Sequence, residues 1–330
     1  MVGLSHVAFR ELVREYTPPT MNPLRFTEML STRRLLSERL DDSNELMVAP
    51  GEDFFVPQLL GNEERFISAS VKKLQTLKPW GFDINMGCPQ THILKHNWGV
   101  RLMGDQGYAA DVVKMVKRHT NLPVSVKLRG GADKDVNLDY LRDFTGCLED
   151  AGLDWLTIHP RPKAAKHEGL ANWSVVEDIA RVRRIPVVAN GDIQTADDAI
   201  HVVQQLGCSG AMIARAAAAR PWILWQIGVK LGIEQPIFEG KKVPETPEEE
   251  ATEYYRAVLR FIDILIHFFG DTEYSLQKAR FFIATGSRWF LFGHSFWRIS
   301  MKAKSLEDMK TAIRIYSETH SNKMYGRIDL

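Results

Sequence analysis

Cys88 lies in the run DINMGCPQ (83–90), where Gly87 and Pro89 force a turn at the end of a short apolar stretch. A thiol in that setting faces the mouth of a sheet rather than its packed interior. With a reference pKa of ~8.5 it is mostly protonated at neutral pH and can deliver a proton to a carbanion-like carbon without a metal. A cysteine taken at random is more often a small buried apolar residue. Cys147, inside a helical apolar pattern, and Cys208, just before a buried strand, read that way; Cys88 reads as a general acid.

Lys127 and Arg129 alternate along VSVKLRG (124–130) and therefore point to the same side, a pair of cations that wants an anion. A salt-bridged core lysine and the Schiff-base lysine of an aldolase are the other readings of Lys127. The segments NGDIQTADDA and GAMIARAAAARP each leave an apolar run through a small turn and enter a helical pattern, which predicts two successive helix N-termini at one end of the sheet. Free N–H groups and the positive end of the helix dipole bind phosphate at such places. Asn190, Gly191, Asp192 and Arg215 are the candidates there. An Asn-Gly turn is common by itself; its order after Cys88, Lys127 and His159 is what gives it weight.

Those residues need strands to carry them. Seven β-rich runs occur, at 23–29, 54–60, 82–87, 124–130, 155–159, 186–190 and 210–214, and amphipathic helical patterns separate most of them. Six of the seven end in chemistry: Gln58, Asn85 with Cys88, Lys127 with Arg129, His159, Asn190 to Asp192, and Arg215. Repeated strand–loop–helix units predict an α/β (β/α)8 TIM barrel, whose functional residues gather at the C-terminal ends of its strands. A doubly wound sheet is the rival architecture. Seven strands leave an eight-stranded barrel one short: either residues upstream of Met1 supply the first strand or the barrel lacks it.

The alternation stops near residue 232. The expected division is a barrel at 1–235, a linker at 236–247 and a small helical bundle at 248–330. Within the last part, residues 278–304 carry Lys278, Arg280, Arg288, Arg298, Lys302 and Lys304 without one acid, interleaved with seven Phe or Trp residues. The run 244–253 carries five acids and no base. The net charge of +1 over 330 residues conceals that local polarity.

Composition narrows the class further. At 45% hydrophobic and 25% charged, the chain has the make-up of an ordinary globular protein, not of a disordered or collagen-like one. No run reaches ~18 consecutive apolar residues, and no signal-peptide pattern opens the chain, so a cytoplasmic protein with no membrane partner is expected. Three scattered cysteines make neither a disulfide framework nor a metal site, and no metal is expected.

The ordered set MVGLSHVAFR, VPQLLG, DINMGCP, VSVKLRGG, TIHPR, VVANGDI and AMIARAAAARPWI resembles the tRNA-dihydrouridine synthases, across nearly the whole barrel and, weakly, into the helical region. The resemblance implies FMN across the barrel mouth, with Met1, Gly3, Gln58, Lys127 and His159 near it and Asn190, Gly191, Asp192, Ala214 and Arg215 at its phosphate end. It implies hydride transfer to C6 of a uracil, a proton from Cys88 to C5, and NADPH as the reductant. Asn85 and Arg129 would position the base, and Glu28, His167, Arg280 and Arg288 would contact tRNA. The base must leave its stack to reach the flavin. A monomer is expected.

The chain departs from the family at three places. The sequence begins at the Met that follows a short strand in the family; if no upstream residues supply that strand, two unpaired edges and weaker FMN retention than in a complete homologue are expected. Asn97 stands where the family has Gly, and Ala214 stands before Arg215 where Gly is usual; Ala214 would crowd the loop if its backbone needed positive φ. The competing functions are an FMN barrel that reduces a free pyrimidine and a catalytically impaired RNA-binding homologue.

Overall fold

The computed structural model describes residues 1–40, 43–131, 135–165, 169–233, 240–320 and 322–329. Seven parallel strands, β1 (Arg25–Ser31), β2 (Phe55–Leu60), β3 (Phe82–Met86), β4 (Val124–Gly131), β5 (Trp155–Pro162), β6 (Val187–Asn190) and β7 (Gly210–Met212), pair in sequence order. All seven expected runs are strands. β1 begins two residues late, after Pro23, where the Arg25 N–H donates to the Phe54 carbonyl. Among the described residues β1 pairs only with β2 and β7 only with β6, so the curled sheet is a TIM-type barrel left open between those edges.

The helices follow in chain order: α1 (Val7–Glu15), α2 (Glu64–Gln75), α3 (Thr91–Leu94), α4 (Gln106–Lys117), α5 (Leu138–Asp150), α6 (Trp173–Val182), α7 (Ala196–Gln204), α8 (Arg215–Ala219) and α9 (Ile223–Lys230) around the sheet. Then come α10 (Pro247–Phe269), α11 (Glu273–Gly286), α12 (Gly293–Lys302) and α13 (Leu306–Thr319). The longer barrel helices are amphipathic; α2 buries one stripe with Ile67, Val71 and Leu74 at spacings of four and three. α10 starts sharply because Thr246 and Glu249 form a reciprocal capping box and Pro247 occupies the first turn.

Strand alternation sorts the two faces of the sheet. Ile84, Val126, Leu128, Leu156 and Ile158, at most 1% exposed, belong to the apolar core. The opposite face points into the barrel and is polar: Gln58, Asp83, Asn85, Ser125, Lys127, Thr157 and His159 follow one another across β2 to β5. A closed barrel fills this space with branched apolar side chains. Here it holds a cavity.

The apolar core runs unbroken into the C-terminal helices. α10 packs along α1 and α11 along α8. Buried polar pairs fasten the contact: Arg220 to Glu250 at 2.8 Å, and the Tyr16 hydroxyl donating to Glu253 at 2.6 Å. Of the expected linker, residues 236–239 lie outside the described residues, and 240–246 form neither helix nor strand.

Candidate active site

At the end of β3 the chain turns back over its own Asn85. The Asn85 Oδ1 accepts from the backbone N–H of Gly87 at 3.1 Å and of Cys88 at 3.0 Å. From the other side, the Cys88 carbonyl accepts the Val100 N–H at 3.1 Å. Gly99 makes that approach possible, with φ +62° and room for no Cβ: one built there would lie 2.5 Å from the Cys88 oxygen. Asn97 also adopts a left-handed conformation, φ +57°, which Asn tolerates. The Cys88 thiol so held is half-buried, and burial pushes its pKa up against weaker opposing effects from the Gln90 backbone and the Arg129 charge. It is therefore a protonated thiol at neutral pH.

β4 and β5 form the next wall. Lys127 stands opposite Asn85 in register, and Arg129 opposite His159. Burial lowers the Lys127 pKa to about 8, with Asp83 pulling the other way. The Arg129 Nε donates to the Gly87 carbonyl at 3.0 Å. His159 is driven down to about 2 by burial and then by Lys127, Arg129, Arg161 and Arg215, so it is a neutral imidazole in a ring of cations. Its Nε2 is buried without a hydrogen-bond partner among the described residues. The ring approaches so closely that a Cβ on Gly191, φ +96°, would meet His159 Cδ2 at 2.5 Å.

Beyond β6, Asp192 is left-handed as well, φ +53°. Its carboxylate is fully engaged: Arg161 lies at 2.6 Å, the Ala171 N–H donates at 2.6 Å, and Arg215 stands 3.9 Å away. Arg161 itself donates to the Gly169 carbonyl at 3.1 Å. Asn190 donates to the Met212 carbonyl at 2.7 Å. The expected pair of open helix N-termini is reduced to one. α7 caps itself through the Thr195 and Asp198 capping box, and the Asp198 carboxylate, which also takes the Gln194 N–H and Arg327, already sits at that helix N-terminus. The short helix α8 does begin at the cavity, with Ala214 and Arg215 in its wall. Ala214 has φ −121°, so it needs no glycine-like backbone and the expected crowding does not arise.

These walls enclose a cavity of about 690 Å³ that runs from the strand ends down the barrel to Trp155 and Gly210, beside the open edges. It lies within the ~300–1,000 Å³ typical of ligand sites. Met1, Gln58, Asn85, Cys88, Lys127, Arg129, His159, Asn190, Gly191, Asp192, Ala214 and Arg215 all reach it. Gly3 and Glu28 do not line it: Gly3 accepts from Lys278 at 3.0 Å, and Glu28 is buried in β1 with Oε1 unpartnered among the described residues. His167 lies outside the described residues. In the basic helical region Arg288 and Arg298 are exposed, as are Phe292 and Trp297, whereas Arg280 is half-buried, donates to the Ala303 carbonyl at 2.8 Å and stands 3.5 Å from Glu273.

Two buried residues of the site lie inside the quoted motifs DINMGCP and TIHPR but have no role assigned to them there. Arg161 neutralises Asp192 from a strand away, and Asp83 lies beneath Asn85, wholly buried. The alternation Asp83, Ile84, Asn85 in a strand is the signal that places Asp83 and Asn85 on one face.

An open α/β barrel whose mouth brings a protonated thiol against a cationic, cofactor-sized cavity defines an enzyme of the strand-end class. The family profile described as "Dihydrouridine synthase (Dus)" matches residues 1–286. A "Probable tRNA-dihydrouridine synthase" of Rhizobium leguminosarum bv. phaseoli is 30% identical over 261 residues, 79% of this chain and 77% of that protein. One of Treponema pallidum is 28% identical over 327 residues, 95% and 90% of the two chains, and the "tRNA-dihydrouridine synthase B" of Pseudomonas syringae pv. tomato is 29% identical over 271, 82% and 76%. The chain belongs to the dihydrouridine synthase family and is an oxidoreductase.

Proposed function

We propose that this protein reduces the C5–C6 bond of a uridine in tRNA to 5,6-dihydrouridine, with FMN in the barrel cavity and NADPH as the reductant. The observation that carries the reading is the placement of a protonated Cys88 thiol in one wall of a cavity whose other walls are Lys127, Arg129, His159 and Arg215. The flavin, when bound, supplies the hydride that uracil C6 takes up.

The chain's own residues do the rest. Cys88 gives its proton to C5, and its raised pKa keeps that proton available at neutral pH. Lys127 and Arg215 supply positive charge to the electron-rich cofactor and its phosphate, and the unpartnered His159 Nε2 offers one more polar contact in the same wall. The left-handed pair Gly191 and Asp192 brings backbone close to the ligand, while Arg161 keeps the Asp192 carboxylate from repelling a phosphate. Asn85 and Arg129 fix the loop against which the base would lie. tRNA phosphates would meet the exposed Arg288 and Arg298, and the exposed rings of Phe292 and Trp297 offer stacking faces.

The test is direct. Purified protein loaded with FMN should show the flavin absorbance near ~450 nm, be bleached by NADPH, and be reoxidised by tRNA lacking dihydrouridine but not by free uracil. Reoxidation by free uracil alone would transfer the function to a pyrimidine reductase; binding of tRNA without any reoxidation would leave an RNA-binding homologue.

A further inference from the structure

A chain of hydrogen bonds with a fixed direction runs under the active-site loop. Asp83 is wholly buried at the bottom of it. Its Oδ1 accepts from Ser125 Oγ at 2.5 Å and its Oδ2 from Gln58 Nε2 at 2.6 Å. The other end of the same amide, Gln58 Oε1, accepts from Asn85 Nδ2 at 2.8 Å. Asn85 Oδ1 then accepts the two backbone N–H groups that hold Gly87 and Cys88.

An amide can be turned end for end, so its orientation must be imposed by its neighbours. Here both ends impose the same one. Backbone N–H groups can only donate, which forces the Asn85 oxygen toward the loop and its nitrogen toward Gln58. An ionised carboxylate can only accept, which forces the Gln58 nitrogen toward Asp83 and its oxygen toward Asn85. We infer that Asp83 is a positioning residue: through Gln58 and Asn85 it fixes the amides that clamp the Cys88 loop. Burial raises the Asp83 pKa to about 6, while Ser125, Gln58 and Lys127 hold it down, so the carboxylate remains largely ionised at neutral pH. Gln58 is accordingly a link in the clamp, with one amide hydrogen left for a ligand.

The inference deepens the proposed function, since the clamped thiol is the proton donor of that reaction, but its test does not depend on the substrate. Moving the charge one link along the chain should preserve the clamp. In Gln58→Glu two carboxylates face each other and the relay breaks. In Asp83→Asn/Gln58→Glu the new amide accepts from Ser125 and donates to the carboxylate now at position 58, whose second oxygen still accepts from Asn85. The readout is the rate of Cys88 alkylation by iodoacetamide in the FMN-loaded protein, followed by mass spectrometry, with tRNA uridine reduction measured beside it. Gln58→Glu should raise the alkylation rate and depress turnover by about tenfold or more, on the order of couplings within one polar network. The double variant should return the alkylation rate to within about threefold of wild type, whatever the carboxylate at position 58 does to cofactor binding and turnover.

Gln58→Met, which keeps the length and makes neither bond, should loosen the loop in the same way, and adding Asp83→Asn to it should rescue nothing. This variant also serves if Gln58→Glu does not fold. Rescue of Gln58→Met by Asp83→Asn, or no rescue of Gln58→Glu, would overturn the inference by reducing Asp83 to a buried charge that any neutral residue could replace. Restored thiol protection without uridine reduction in any form, wild type included, would instead sink the proposed function and leave the clamp standing.

Discussion

Gly99→Ala tests whether the Cys88 loop is held as tightly as its contacts imply. The added Cβ would lie 2.5 Å from the Cys88 carbonyl oxygen, 3.1 Å from Cys88 Cβ and 3.2 Å from Ile93 Cγ2, so backbone must yield by nearly 1 Å to reach ordinary contact. Alanine at φ +62° costs roughly 1–2 kcal/mol by itself, and separating the loops weakens the Val100 N–H to Cys88 carbonyl bond, worth about 1 kcal/mol. A total of about 2–3 kcal/mol should lower the melting temperature on the order of 5 °C. The larger effect falls on chemistry, because a reacting group displaced by ~1 Å can lose about a hundredfold in rate. Melting, Cys88 alkylation and tRNA uridine reduction are the assays, with Asn97→Gly as a control that relieves a left-handed residue and should change stability by only about 1 kcal/mol. A Gly99→Ala protein with wild-type melting and alkylation would show that the loop is slack and that the geometry around the thiol decides nothing.

Replacing Cys88 by Ala should leave FMN bound with its absorbance intact and slow uridine reduction by ~10²–10⁴-fold, the usual worth of a positioned acid; unaltered turnover would remove Cys88 from the reaction. The pH profile follows from Lys127 and Cys88. Lys127 is a cation below about 8, so flavin affinity measured by fluorescence should be highest below that pH and fall above it, while the thiol, raised by burial, stays protonated across the same interval. Arg161→Ala strands the buried Asp192 carboxylate and should cost about 3–5 kcal/mol in chemical denaturation, with Asp192→Asn added to it restoring part of the loss. Arg288→Ala with Arg298→Ala should weaken tRNA binding and flatten its dependence on log salt by roughly 0.7 to 0.9 per phosphate contact removed; an unchanged slope would move the RNA surface elsewhere.

What could be read from the sequence was whatever repeats at short range. Alternation and Gly-Pro punctuation locate all seven strands, and the chemistry at their ends, from Gln58 through Arg215, does converge on one cavity. Local pattern fails where a partner comes from another strand. NGDIQTADDA looks like an open helix N-terminus until Thr195 and Asp198 are seen to close it, and Asp198 then draws in Arg327 from the far end of the chain. Arg280 looks like one of six free cations until the fold brings it to Ala303 and Glu273. The helix Val7–Glu15 falls in a segment read only for its motif, although its pairing with α10 is one of the contacts that ties the two parts of the chain together.

The same distinction explains the charge of the cavity. Counted along the sequence, Lys127, Arg129 and Arg215 stand against Asp83 and Asp192, and the site looks close to balanced. In the fold the two acids are not equivalent to the cations they offset. The Asp192 oxygens are turned toward Arg161 and the Ala171 N–H, and the Asp83 oxygens toward Ser125 and Gln58, so neither carboxylate is presented to a ligand. Lys127, Arg129 and Arg215 all line the cavity, and His159 among them is held neutral by its burial and then by their charges. A cavity that buries its acids behind hydrogen bonds and presents its bases favours an electron-rich, phosphate-bearing ligand. Under the proposed function Cys88 would be the proton donor in a wall otherwise supplied with cations, a polarity that suits adding a hydride and a proton to opposite ends of one double bond.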